Sequence, residues 1–124
     1  RERQIKEDKA TNDKVLLSTF LSGDDIHAAR DRKLASFYDY LEITRITINN
    51  LKKKLEYEQS RVADSERGGQ TISDATMAQI RALQNQISIK ESFARQKQAE
   101  KETLRKKYDA DYKRFMELKA MRRR

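Results

Sequence analysis

The clearest hydrophobic pattern lies between Leu34 and Val62, where apolar or neutral residues recur at alternating steps of three and four. Thr44 and Glu58 are the two polar members of this series. A 3.5-residue repeat is typical of a helix that packs one narrow stripe, called the seam below, against another helix. The seam consists of Leu34, Phe37, Leu41, Thr44, Ile48, Leu51, Leu55, Glu58 and Val62.

Gly68 and Gly69 follow this helix, and a glycine pair at that place predicts a C-terminal cap and a reversal of the chain. Thr71, Ser73 or Asp74 then caps a further helix. That helix has seam residues close to the turn and again near the C-terminus. They are Ile72, Thr76, Ile80, Leu83 and Ile87, then Leu104, Tyr108, Asp111 or Tyr112, Phe115 and Leu118.

Polar or small residues occupy the middle of this last seam, where Lys90, Ala94, Lys97 and Lys101 fall at the expected spacing. Phe93 is the one large apolar side chain in this stretch. This break indicates either a shift of the register or a hydrated stretch of seam. Both interpretations are compatible with the pattern.

A first helix is predicted before the seam helix, with a weak stripe that becomes apolar only near Leu16. Ser22 and Asp25 have the spacing of a capping box at the start of the seam helix. Leu21 and Ile26 are placed to form the hydrophobic staple that often accompanies such a cap. We therefore expect a defined elbow between the first two helices.

These elements predict an all-α fold: a long antiparallel coiled-coil helical hairpin with the N-terminal helix packed near its base. Folding at the glycine pair sets Leu55 opposite Leu83, Leu51 opposite Ile87 and Leu34 opposite Leu104. The expected organisation is a single elongated helical domain over residues 1–124. Its parts are a helix over about 1–20, a helix over about 24–65, a turn over 66–72 and a helix over about 73–120.

The composition is typical of helices without a large hydrophobic core, and it contains few residues of the kinds that enzymes use for catalysis. Charged residues make up 39% and apolar residues 36%, and there is no proline, which is typical of long helices that bury only a seam. The chain has no cysteine, so disulfides and thiol catalysis are excluded. His27 is the sole histidine, and no nucleophile or set of zinc ligands accompanies it. We expect a protein that is not an enzyme and has no metal or cofactor.

The net charge of +8 is concentrated near the C-terminus, where residues 93–124 hold 12 Lys or Arg against 5 Asp or Glu. This basic helix predicts a surface for nucleic acid or an anionic membrane. In the alternative interpretation, the interleaved aromatic residues pack inward and the charges form a solvated face. The basic candidates are Arg105, Lys106, Lys107, Lys113, Arg114, Arg122, Arg123 and Arg124.

Ile43 and Ile46 lie outside the narrow seam of their helix. They are candidates for contact with the first helix or with a second copy of the chain in a homodimer. The third interpretation is that they are tolerated surface residues.

The stretch from Asp13 to Ser36, DKVLLSTFLSGDDIHAARDRKLAS, resembles the helical C-terminal region of bacterial cell-envelope proteins that carry a small N-terminal domain of unknown function. The ending from Tyr112 to Lys119 is also similar to the ends of such chains. The resemblance implies a periplasmic or envelope location and brings no established activity. We expect this chain to be part of a longer protein whose targeting segment and small domain lie upstream.

The sequence thus favours a non-enzymatic structural or adaptor coiled-coil module of the bacterial envelope that mediates protein–protein interaction. Its protein partner is not specified by any motif. The alternative is a cytoplasmic stalk-like coiled coil, or a binder of nucleic acid or anionic membrane through the basic C-terminal helix.

Overall fold

The computed structural model describes residues 1–123, which form three α-helices and contain no strand. Helix α1 spans Glu2–Thr19, α2 spans Gly23–Arg67 and α3 spans Asp74–Arg122. The predicted all-α class is confirmed. Contacts along the chain group it into two compact units, Arg1–Phe37 with Glu100–Arg124 and, separately, Tyr38–Ala99. The expectation of a single elongated domain stays a prediction.

Helix α2 begins with the side-chain cap that its sequence predicts. The Ser22 hydroxyl accepts a hydrogen bond from the Asp25 amide at 3.4 Å, and the Asp25 carboxylate accepts one from the Leu21 amide at 2.9 Å. The predicted staple is wrong, however, because Leu21 is 87% exposed whereas Ile26 is fully buried. Ile26 packs into a core with residues of α1 and α3, and this packing takes the place of the local contact.

The glycine pair ends α2 as predicted. Gly69 has φ = 76°, a left-handed conformation that side chains rarely adopt. The Gln70 amide donates to the Ser65 carbonyl at 2.9 Å and the Gly69 amide donates to the Glu66 carbonyl at 3.0 Å, the two bonds of a Schellman motif. Ser73 is the cap of α3, since its hydroxyl accepts a hydrogen bond from the Thr76 amide at 3.1 Å.

In the unit Tyr38–Ala99, burial follows the predicted seams. The α2 seam residues from Leu41 to Val62 are all partly buried. On α3, Ile80 and Ile87 are the buried residues of the unit. Residues early in this part of α2 lie near residues late in this part of α3, as the Lys97 ammonium 5.5 Å above the Tyr40 ring shows.

The middle of the α3 seam is filled by polar or small residues. Glu91, Ala94 and Lys97 are partly buried, whereas Phe93 is 51% exposed. The less exposed residues step from Ile87 to Glu91, Ala94 and Lys97, so Glu91 takes the inner position that the repeat gives to Lys90. This stretch thus combines a polar seam with a local departure from the alternating steps of three and four.

In the unit Arg1–Phe37 with Glu100–Arg124, each helix contributes one residue to a small core. Leu16 of α1 is 8% exposed, Ile26 of α2 is fully buried and Phe115 of α3 is 1% exposed. Partly buried apolar residues surround these three, namely Leu17, Phe20, Tyr108, Tyr112 and Leu118. Residues 1–12, which lead into and form the first turns of α1, are all exposed, in agreement with their polar sequence.

Candidate interaction surfaces

An uncovered apolar stripe runs along α2 on the side away from the seam. Ile43 is 67% exposed, Ile46 is 48% exposed and Tyr57 is 62% exposed, and Asn50 and Lys53 between them are also exposed. The positions of these five residues alternate in steps of three and four, so they share one helix face. We call this set the Ile43 stripe.

Both isoleucines are exposed on the surface of the unit Tyr38–Ala99. Contact with the first helix, contact with a second copy and a tolerated surface position stay predictions. Tyr57 lies on the same face and extends the candidate surface beyond the two isoleucines.

Among the seven basic candidates within residues 1–123, Arg105 and Arg114 form ion pairs with carboxylates. The first is Arg105, whose guanidinium donates to Glu102 at 2.9 Å and to Asp109 at 3.0 Å. These partners lie three residues before and four residues after Arg105, a spacing that the sequence already contained. Arg105 lowers the pKa of Glu102 through this hydrogen bond, and Glu102 in turn raises the pKa of Arg105.

The second is Arg114, which joins α3 to α1. Its guanidinium donates two hydrogen bonds to the Asp13 carboxylate, at 2.9 Å and 2.8 Å, and one to Glu117 at 3.2 Å. The paired bonds match the planar fork of arginine to both carboxylate oxygens. Asp13 and Arg114 are far apart in sequence, so no local spacing identified this contact. Arg114 therefore fixes the packing of α1 and offers little to an external phosphate.

The other basic candidates lie on the surface. Lys106, Lys107 and Lys113 are exposed on α3, as are Arg122 and Arg123 at its end. Arg124 lies outside the described residues. The structure thus brings Arg105 and Arg114 into ion pairs and leaves the three lysines facing solvent.

The aromatic residues between these basic positions pack inward. Phe115 is in the core, Tyr108 and Tyr112 pack against it, and the Tyr112 ring stacks on His27 with centroids 4.2 Å apart. The Lys119 ammonium lies 5.3 Å from the centre of the Phe115 ring. This arrangement supports the interpretation in which the aromatics belong to the core and the charges to a solvated face.

Acidification should weaken the α1 contact, because the hydrogen bond from Arg114 lowers the pKa of Asp13 below its ordinary value of 3.8. A carboxylate whose pKa is lower in the folded state stabilises that state above the unfolded pKa, and this stabilisation is lost as the pH falls through the folded value. We expect the unfolding midpoint to depend less steeply on pH below about pH 4 in Asp13→Asn than in the wild type. Thermal unfolding followed by circular dichroism at a series of pH values measures this midpoint.

The matched control for this experiment is Asp8→Asn, because Asp8 is also on α1 and is exposed, and Gln4 donates to it at 2.9 Å within the same helix. We expect this variant to keep the pH profile of the wild type. Identical profiles for Asp13→Asn and the wild type would contradict the role given to the Asp13–Arg114 pair.

A groove that the sequence did not indicate lies beside the start of α2. It is lined by the exposed Leu21, by Gly23 and by Met116, which is 45% exposed, with Lys119 and Arg123 at its edge. The sequence signal for this groove was Leu21 itself, the apolar residue directly before the Ser22 cap, which the staple interpretation had paired with Ile26.

No protein-family model, curated protein or solved structure matches the chain. Among residues 1–123, no helix has an apolar stretch long enough to cross a membrane. The same part of the chain contains no group of three or more His, Cys, Asp or Glu residues arranged to hold a metal ion.

Proposed function

We propose that the chain is a non-enzymatic coiled-coil module that acts as a structural or adaptor element through contacts with other proteins. The observation that carries this proposal is the distribution of large apolar side chains. Five hydrophobic residues are buried in the described structure, whereas thirteen large ones are exposed, from Ile5 to Met121. Exposed apolar side chains that are neighbours on one helix face, as Ile43 and Ile46 are, mark a site for a protein partner.

The proposed module is an antiparallel coiled-coil hairpin within the unit Tyr38–Ala99. Three observations support it: the partly buried α2 seam, the Schellman turn at Gly69, and a groove that Leu51 and Glu58 share with Gln79 and Leu83. In such a hairpin Leu51 faces Ile87 and Leu55 faces Leu83.

The resemblance of residues 13–36 to envelope proteins is the basis for proposing a bacterial periplasm or envelope as the location. The cytoplasm is the alternative. Fractionation of the native cells tests this part, and the full-length protein in the cytoplasmic fraction would contradict it.

The hairpin is tested by the double variant Leu51→Cys, Ile87→Cys, which is free of competing thiols because the chain has no cysteine. We expect oxidation to give an intramolecular link, seen as a faster-migrating monomer in denaturing electrophoresis. Leu51→Cys with Ile89→Cys is the matched control, since Ile89 is 53% exposed and points away from the seam. Equal yields in the two variants would refute the proposed pairing.

The adaptor role is tested by placing a photo-crosslinking residue in the full-length protein in its native cells. We expect Phe93 to give an adduct of defined mass, and Gln98, an exposed polar position about 140° around the same helix, to give little. Failure at Phe93, Leu21 and Met116 alike would contradict protein contact as the function.

The anionic-surface alternative predicts instead that purified protein binds DNA or anionic vesicles with an affinity that falls steeply with salt. Replacing the exposed Lys106, Lys107 and Lys113 with alanine would then weaken that binding.

A further inference from the structure

We infer that two copies of this chain associate through the Ile43 stripe, with their α2 helices antiparallel and the two-fold axis near Asn50. The inference rests on the proposed hairpin, because the stripe is an outer face only when the seam of α2 faces α3. The protein partner in this inference is a second copy of the chain.

The spacing of the stripe indicates a helical partner. Ile43, Ile46, Asn50, Lys53 and Tyr57 repeat the alternating steps of three and four that form the seam itself, yet they are all exposed in the single chain. A face with this repeat packs best against another helix, whose side chains fill the spaces between successive residues. The stripe extends for about two heptads.

The order of residues along the stripe is self-complementary in the antiparallel direction. Isoleucines lie on the N-terminal side of Asn50 and the Tyr57 ring lies on its C-terminal side. An antiparallel copy therefore sets Ile43 opposite Tyr57 and Ile46 opposite Lys53 of the other chain. The aliphatic stem of Lys53 extends this apolar contact while its ammonium stays in water.

Charge also favours the antiparallel direction. Asp39 lies at the N-terminal end of the stripe, whereas Lys53 and Arg61 lie toward its C-terminal end. Antiparallel packing brings the acidic end of each helix to the basic end of the other, and parallel packing would align like charges. Such an isologous contact uses the same patch twice, as a two-fold axis requires.

Asn50 in the middle of the stripe gives a reason for one defined register. A polar residue at a single inward position of a coiled coil lowers affinity but disfavours shifted alignments, because a shift would set the amide against an apolar side chain. With the axis near Asn50, the two amides lie close enough to bond each other. We therefore expect a weak but defined dimer.

Cross-linking tests this arrangement directly, because a single cysteine in the full cysteine-free chain can be linked only to a second copy. With a short bismaleimide, we expect Asn50→Cys to give several-fold more linked dimer than Asn49→Cys. Asn49 is a matched control because it is also an exposed asparagine, about 100° around the helix from Asn50. Equal yields, or no link from either variant, would overturn the inference.

Sedimentation measures the association independently. As the protein concentration rises, the wild type should change from monomer to dimer with a dissociation constant below about 200 μM. Ile46→Lys should weaken the dimer at least about tenfold, because it sets a second ammonium opposite Lys53 of the other copy in the interface. Ile89→Lys, at a comparably exposed isoleucine of α3, should leave it unchanged. A wild type that stays monomeric, or equal effects of the two substitutions, would overturn the inference.

The two proposals fail separately in these experiments. An intramolecular link in the double variant Leu51→Cys, Ile87→Cys shows the hairpin whether or not a dimer forms. If that link forms and Asn50→Cys gives none, only the dimer is wrong. If the link itself does not form, the hairpin is wrong and the assignment of the Ile43 stripe to an outer face fails with it.

Discussion

Replacing Phe115 with alanine should lower the free energy of unfolding by about 3–5 kcal/mol, the usual cost of removing a buried aromatic ring. Phe115 is 1% exposed and belongs to a core with only two other buried residues, Leu16 and Ile26. Five partly buried apolar residues also pack against this core, so removing the ring leaves a cavity and takes contacts from its neighbours. Urea unfolding followed by circular dichroism measures the change.

Phe93→Ala is the matched control, since Phe93 is also on α3 but is 51% exposed. We expect this variant to change the free energy of unfolding by less than about 1 kcal/mol. Similar losses for the two alanine variants would mean that Phe115 does not hold the unit together as described.

The second large effect is expected from Gly23→Ala. Alanine normally stabilises a helix by about 0.5–1 kcal/mol relative to glycine. At this position, however, a Cβ atom would lie 2.6 Å from Cε2 of Tyr112 and 3.3 Å from the sulfur of Met116. The Tyr112 ring is stacked on His27, so it cannot move away without losing that contact. We expect a net loss of about 1–3 kcal/mol, typical of overpacking, measured by the same urea titration.

Two further variants check that the clash is the cause. Gly68→Ala should be tolerated, because a Cβ there would meet its nearest atom, the Ser65 carbonyl oxygen, at 3.5 Å. Tyr112→Leu combined with Gly23→Ala should cost less than the sum of the two single changes, since the smaller side chain leaves room. Strict additivity would contradict the close approach of Gly23 and Tyr112.

Regular local patterns explain what could be predicted from the sequence. The 3.5-residue repeat identified the seam of α2, because burial on a helix follows directly from the spacing of apolar residues. The turn at Gly69 was predictable because only glycine adopts its backbone conformation easily. The Ser22 cap followed from a local hydrogen bond between residues close in sequence.

Contacts between distant segments could not be predicted in this way. Nothing near Asp13 in the sequence shows that Arg114 is its partner. The exposure of Leu21 was not predictable for the same reason. Ile26, its expected partner, packs instead with residues of α1 and α3. The ion pairs of Arg105, in contrast, could be predicted from sequence, because Glu102 and Asp109 lie three residues before it and four residues after it. These two carboxylates remove Arg105 from the set of basic residues that are free to bind an anion.

The exposure of residues 1–12 has a consequence for how this protein can vary over generations. Side chains that bury little can be exchanged at little cost to folding, provided that helix-forming residues replace one another. Mutations should therefore accumulate freely in the opening turns of α1. Purifying selection within the same helix should concentrate on Asp13 and Leu16, which tie it to distant segments through an ion pair and a buried side chain.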